Sequence, residues 1–235
     1  MEATEAEEEY LQTLFWLSEA RLAMTGANVA RAMQLSAPTV HEMVGRLERD
    51  GYITRAADKA ISFTPDGERH AAEIVRRHRL IERFLTDVLQ IPWDEVHEQA
   101  ERLEHAMSPV LEERMLAAIG DAKTCPHGHP ILAGSRIEGV PLADAELGAR
   151  VRVLRFENEA EDLLHYLKGS GLEPGLEGVL AAADEHELVV ETAAGQRCTL
   201  TRSVAETVSV LANPSPPPRV ALPEHLVLGR ERYGR

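Results

Sequence analysis

MQLSAPTVHEMVGRLERDG, residues Met33 to Gly51, is the stretch that decides how this chain is read. Ser36 is a helix-capping residue and Gly51 closes the element it opens. Val40, Val44 and Leu47 recur at i, i+4 and i+7, so one face turns inward. Ser36, Thr39, Glu42, Arg46 and Arg49 are left outward. Residues 28–33 just before it read as a short helix. Two short helices joined by a tight turn, the second polar on its outer face, form a helix-turn-helix pattern.

Working outward, residues 52–55 and 61–64 flank A56-A-D-K-A60 and predict a β-hairpin, which directly after such a helix is the wing of a winged helix. Thr64 followed by Pro65 opens a long helix to about Leu89. Upstream, a first helix over residues 4–19 carries Leu11, Leu14 and Phe15. Downstream, helices are expected from Trp93 to His105 and from Ser108 to Ile119. Val110, Leu111, Met115, Ala118 and Ile119 make an apolar stripe on the last, a surface suited to a second copy of the chain. Periodicity then stops. The fold expected is mainly α in the N-terminal half, with a small all-β domain after it. The expected division is 1–75 for a winged-helix domain, 76–120 for metal-binding and dimerisation helices, and 121–148 for a linker. Short strands follow over 149–212, interrupted by a helical stretch at 159–167. Residues 213–235, with their PSPPP run, read as a flexible tail.

The 235 residues carry a net charge of −14, which at first argues against a nucleic-acid partner. The distribution reverses that reading. Residues 21–83 carry +3, between −6 over residues 1–20 and −6 over 84–120. The basic excess coincides with the helix-turn-helix, and acidic flanks that converge on a cation would lose much of their charge. Two cysteines, Cys125 and Cys198, make neither a disulfide framework nor a four-cysteine zinc site. No apolar run has the length of a membrane span, and the acidic N-terminus is unlike a signal peptide, so a cytoplasmic protein without a membrane partner is expected.

One further stretch, HEQAERLEH from His97 to His105, crowds ligand-type groups together. His97, Glu101, Glu104 and His105 fall at i, i+4, i+7 and i+8 on one helical stripe. A solvated polar face would look the same. His78 and Glu82, i and i+4 on the preceding helix, form a second stripe, and two facing helices can surround a cation with such groups.

Together these motifs resemble the diphtheria toxin repressor family of metal-dependent transcriptional regulators. Residues 1 to about 132 carry the resemblance through S36-A-P-T-V, L47-E-R-D-G51, R77-H-R-L-I-E82, V96 to H105 and H127-G-H-P-I131. Residues 149–212 are similar to the SH3-like (FeoA-like) domain of the longer members. The resemblance implies that Glu104 and His105 are primary-site ligands with Glu101 as the variable ligand. It also implies that Glu9 is the ligand from the first helix, and that His78, Glu82 and His97 belong to an ancillary site. Glu159, Glu161 and Asp162 are candidates for ancillary ligands from the small domain. Glu9 and Glu101 stand where iron-responsive members carry methionine and cysteine. Oxygen donors suit harder cations, so Mn²⁺ is the expected effector and Fe²⁺ the alternative. Gln12 stands where a paired-metal site would place a second acid, which favours separate sites over a close cluster.

The expected function is that of a homodimeric repressor that binds double-stranded, palindromic operator DNA of metal-homeostasis genes when loaded with metal. Ser36, Pro38 and Thr39 should approach base edges. His41 and Glu42 lie on the same helix, while Arg46, Arg49 and Lys59 should hold phosphates. A winged-helix regulator of a small organic ligand or oxidant would share the DNA-binding half but gives no reason for two facing acid and histidine stripes. A metal-dependent hydrolase is the remote alternative. The zinc-protease pattern H-E-x-x-H fails at Glu101, and no other catalytic constellation is present, so an enzyme is not expected. The CPHGHP segment, Cys125 to Pro130, reads more simply as a structural loop than as a zinc site. A scaffold that binds proline-rich peptides would need an aromatic groove, for which the strand region has little beyond Phe156 and Tyr166.

Overall fold

Three hydroxyl caps lay out the helical half of the molecule. Ser36 Oγ accepts from Thr39 N at 3.3 Å, Thr64 Oγ1 from Gly67 N at 3.1 Å, and Ser108 Oγ from Leu111 N at 3.3 Å. Each cap is followed by a proline in the first turn, where a missing N–H costs nothing. The computed structural model describes residues 3–132 and 136–213. The helices are α1 (Glu5–Glu19), α2 (Gly26–Ala32), α3 (Ala37–Arg49), α4 (Pro65–Asp87), α5 (His97–Glu104) and α6 (Pro109–Ile119). Between α3 and α4, β1 (Ile53–Arg55) pairs antiparallel with β2 (Ile61–Phe63) to make the wing.

Val40, Val44 and Leu47 of α3 are buried with Tyr10, Leu11 and Leu14 of α1 in one core, which also takes Ile53 and Ile61 of the wing. At the wing's base, a Cβ on Gly67 would lie 1.8 Å from the Tyr52 carbonyl, so only glycine lets α4 approach there. A second core joins Leu80, Ile81 and Leu85 of α4 to Val96, Ala100, Met115 and Ile119. The apolar stripe of α6 is therefore divided. Met115 and Ile119 face this core, while Val110 and Leu111 are exposed, as is Leu103 on α5.

The C-terminal unit is a six-stranded antiparallel sheet in the order β3-β8-β4-β5-β6-β7. Its strands are β3 (Val140–Pro141), β4 (Arg150–Phe156), β5 (Glu177–Ala183), β6 (Glu187–Glu191), β7 (Arg197–Thr201) and β8 (Val208–Ala212). Helices α7 (Glu161–Gly169) and α8 (Arg202–Ala205) are set between them, and Leu164 and Leu167 of α7 enter the core with Phe156, Leu180, Val190 and Leu200. β7 has no counterpart in the sequence reading. Only Cys198 and Leu200 face inward from its five residues, too short an alternation to stand out.

The segment expected as a linker contains β3, a short 3-10 turn at Leu142–Asp144, and an isolated bridge between Thr124 and Pro130. That bridge folds Cys125 to His129 against β4. A Cβ on Gly128 (φ +94°) would lie 1.9 Å from the Leu154 carbonyl. Phe156 N donates to His127 O at 3.0 Å. Helix α5 starts at His97 rather than Trp93, and Trp93 and Asp94 serve the same junction. Trp93 packs on Phe156 at 5.6 Å between ring centres, and buried Asp94 is paired with Lys168 of α7. Among the described residues, no helix is long and apolar enough to cross a membrane. The PSPPP run and the rest of the tail lie outside the described residues.

Candidate metal centre

Helix α4 places His78 and Glu82 on one face, and both are almost fully buried. His78 Nδ1 lies 2.7 Å from Glu104 Oε2, and its Nε2 lies 3.0 Å from Glu82 Oε1. That same Nε2 is 3.1 Å from His97 Nδ1. His97 Nδ1 in turn is 3.2 Å from both Glu82 Oε1 and Glu159 Oε2, and its Nε2 is 3.4 Å from Glu101 Oε1. His78, Glu82, His97 and Glu159 each bring one donor atom within 4.8 Å of the others, and Glu82, Cys125 and His127 do the same beside them. His127 Nδ1 lies 3.3 Å from Glu82 Oε1 and 3.4 Å from Glu159 Oε2. Helices α4 and α5, the 125–129 loop and the segment after β4 thus converge on one point.

Two features show that these residues fit a cation. Glu82 Oε2 and His127 Nδ1 are buried without a well-directed hydrogen bond, though a polar group at that depth normally has one. In addition, His127 Nε2 donates to the Trp93 carbonyl at 2.7 Å, which leaves Nδ1 as the nitrogen facing the carboxylates. In the metal-free molecule protons supply the countercharge. Burial opposes a charge on His78, yet Glu82 and Glu104 outweigh it and raise its pKa to about 9. Burial likewise opposes charge on His97, but Glu101, Glu159 and Glu82 hold it well above the usual histidine range. Glu82 is pushed upward by burial, but positive His127 and His78 keep it well below the usual carboxylate range. Burial and the nearby Glu82 push the Cys125 thiol up to about 11, so it keeps its proton at neutral pH.

The second set of candidates is arranged differently. Glu9, Gln12, Glu101, Glu104 and His105 line a cleft of about 1000 Å³ between α1, α2, α5 and residues 157–162. Glu9 is exposed there, and it is Glu8 that reaches His105 Nδ1, at 2.7 Å. Gln12 Nε2 donates to Glu104 Oε2 at 3.2 Å. Glu104 therefore touches both sets, through Gln12 on one side and His78 on the other. Of the small-domain candidates, Glu159 joins the buried cluster, whereas Glu161 and Asp162 are exposed on the cleft wall.

The sequence presents CPHGHP as a structural loop, which leaves His127 outside the expected cluster, and nothing in the resemblance singles out Glu8. A signal for Glu8 existed, because Glu8 and Gln12 are i and i+4 on α1. No periodicity relates a loop histidine to a helix 45 residues earlier.

In the helix-turn-helix, Ser36, Pro38, Thr39, His41 and Glu42 are exposed along the start of α3. Arg49 is exposed near its end, and Lys59 is exposed at the wing tip with φ +67°. Arg46 is turned towards α1, with its Nε 2.9 Å from Glu7 Oε1.

The chain is similar to known proteins in sequence and in fold. Three domain profiles match in order: iron dependent repressor, N-terminal DNA binding domain, at residues 2–61; iron dependent repressor, metal binding and dimerisation domain, at 64–133; and FeoA domain at 140–212. The chain is 30% identical over 219 residues to the iron-dependent repressor IdeR of Mycobacterium leprae, covering 86% of this chain and 95% of that one. It is 32% identical over 217 residues to the diphtheria toxin repressor of Corynebacterium glutamicum, covering 86% and 94%. Among solved structures, a manganese-dependent transcriptional repressor in complex with manganese is similar at a TM-score of 0.80 and 28% identity, over 88% of this chain and 99% of that one. The manganese regulator SloR is similar at a TM-score of 0.73 and 30% identity, over 88% and 98%.

Proposed function

The chain belongs to the iron-dependent repressor family that includes the diphtheria toxin repressors, and from that premise we propose that it is a repressor switched on by Mn²⁺, with Fe²⁺ as the competing metal. The family is one of DNA-binding regulators, not of enzymes. The observation that carries the metal reading is the convergence of half-buried His97 and Glu159 on buried His78 and Glu82, around a Glu82 carboxylate oxygen without a well-directed hydrogen bond. Bound there, a divalent cation would supply the positive charge that protons otherwise provide. Oxygen donors dominate the cleft set of Glu8 or Glu9, Glu101, Glu104 and His105, which favours a hard cation such as Mn²⁺ over one that seeks thiolate. The similarity to the manganese-bound repressor supports the same choice. The names of the sequence relatives point to iron, which is why Fe²⁺ is kept as competitor.

A homodimer is proposed through the exposed Val110 and Leu111 of α6 with Leu103 of α5, an apolar surface that the chain's own core leaves uncovered. Two copies of α3 would then face successive major grooves of a palindromic duplex. Ser36, Pro38 and Thr39 would stand at base edges, with Arg49 and Lys59 on phosphates. The test is selection from a random-sequence duplex pool with Mn²⁺ present, followed by binding of the selected duplex with Mn²⁺, Fe²⁺, Zn²⁺ or chelator. Tight, salt-sensitive binding with Mn²⁺ and weak binding in chelator is expected. Equal affinity in all four conditions would refute metal dependence, and activation by Fe²⁺ alone would refute the manganese assignment.

A further inference from the structure

Arg46 lies on α3, the second helix of the helix-turn-helix, where sequence alone assigns it a DNA phosphate, yet its guanidinium, on a side chain 44% exposed, is already paired with two acids. Its Nε is 2.9 Å from Glu7 Oε1 and 3.7 Å from Asp50 Oδ2. Glu7 is only 3% exposed, and its Oε2 accepts from both Thr4 N and Thr4 Oγ1 at 2.8 Å. Its Oε1 makes no well-directed hydrogen bond, so the Arg46 guanidinium is the countercharge set against it. Glu8, the next residue, reaches His105 at 2.7 Å and His70 at 3.4 Å. One turn later Gln12 donates to Glu104. A single stretch of α1 thus grips the cleft set with Glu8 and Gln12, and the recognition helix with Glu7.

We infer that the Glu7–Arg46 ion pair is a positioning link, through which the state of the Glu104/His105 set fixes the orientation of α3, and that Arg46 does not serve as a phosphate contact. The inference rests on the metal-dependent repressor reading above. Helices α1 and α3 also share apolar contacts through Tyr10, Leu11, Val40 and Val44. Such contacts are non-directional, whereas a charged hydrogen-bonding pair between fixed atoms resists rotation and sliding. Removing Arg46 would also leave the buried Glu7 carboxylate facing Asp50 without a cation, which makes the neutral isostere Glu7→Gln the cleaner probe.

The experiment measures affinity for the Mn²⁺-selected duplex over a salt series, with Mn²⁺ and with chelator. It uses the full chain as wild type, Glu7→Gln, Arg46→Met and the double variant. Mn²⁺ affinity without DNA is read from Trp16 emission, since that ring lies 5.6 Å from both His78 and His97. Each single variant should lose about tenfold in Mn²⁺-saturated DNA affinity, about 1.4 kcal/mol. The double variant should lose no more than either single. The salt slope should match wild type, and Mn²⁺ affinity without DNA should be retained. A slope reduced by about one charge in Arg46→Met, with Glu7→Gln binding DNA as wild type does, would show a phosphate contact and overturn the link. Equal losses with Mn²⁺ and with chelator would reduce the pair to general support of the fold and also overturn it. Should Arg46→Met not fold, Glu7→Gln decides alone, because a phosphate role for Arg46 predicts no loss there. A wild type indifferent to Mn²⁺ would instead strike the repressor reading underneath.

Discussion

The molecule gathers acids and histidines in two places and builds them in opposite ways. His78 and Glu82 are 1% and 0% exposed, and their partners come from α5, the 125–129 loop and the β domain, already within hydrogen-bonding distance. The cleft set is only partly assembled, although Glu104 itself is buried. Glu9 is exposed, Glu101 leans to His97, and Glu8 occupies His105. A preassembled site needs little motion to take up an ion and so transmits little. A site whose donors must still be gathered would tie binding to movement, here of α1, which shares a core with α3 and the wing. On the proposed metal reading, the buried cluster would then serve affinity and architecture, and the cleft set switching.

Four variants or conditions can break or sharpen that contrast. The largest effect is expected at the cluster. Glu82→Gln should cost the metal-free protein roughly 3 kcal/mol, since it removes the buried carboxylate that His78 and His127 share and leaves them only Glu104 and Glu159. Chemical unfolding in chelator measures this, and a loss under about 1 kcal/mol would mean that the cluster is not charged as described.

His105→Ala should lower Mn²⁺-stimulated DNA affinity at least about a hundredfold, about 2.7 kcal/mol, while one tight Mn²⁺ per subunit remains. Calorimetric titration that finds both ions lost would erase the distinction between the two regions.

The pH response follows from His78. Its folded pKa is raised from 6.5 to about 9, so its contribution to metal-free stability is complete below pH 6.5 and fades as pH rises through about 9. Over the same window Mn²⁺ should bind more tightly, because fewer protons must leave, and titration in weak buffer near pH 7 should release protons. Stability in chelator that stays flat or rises from pH 6.5 to 9 would contradict this.

The smallest effect is expected at the wing. Lys59→Ala should weaken binding to every duplex by a similar factor and lower the salt slope by about one charge. A change in base preference would move Lys59 from phosphate to base edge.

Much of this was legible in the sequence wherever a local rule fixed the outcome. Ser36, Thr64 and Ser108 cap helices because each places a hydroxyl before a first-turn proline. Val40, Val44 and Leu47 face inward because their spacing leaves no other choice. His78 and Glu82 share a helix face for the same reason. What stayed hidden depends on tertiary placement. His127 reaches Glu82, and Glu159 is singled out from its fellow candidates Glu161 and Asp162, only because the β domain docks through Trp93, Phe156 and the Asp94–Lys168 pair. The exchange of Glu9 for Glu8 at His105 is a matter of about 100° of helix rotation, which the packing of α1 on α4 sets and periodicity alone leaves open. Arg46 reads as a free outward cation from its spacing, but a buried acid on another helix pairs with it.

The central claim is that the buried cluster is ready for an ion and the cleft set is not. Anomalous diffraction at the manganese edge, on crystals of the metal-free protein soaked in increasing Mn²⁺, tests it most directly. The account predicts that the first peak appears among His78, Glu82, His97 and Glu159. A second should follow at Glu104 and His105 only at higher Mn²⁺, together with a shift of α1 towards α5. A first peak at Glu104 and His105, with the cluster empty and α1 in place, would contradict it.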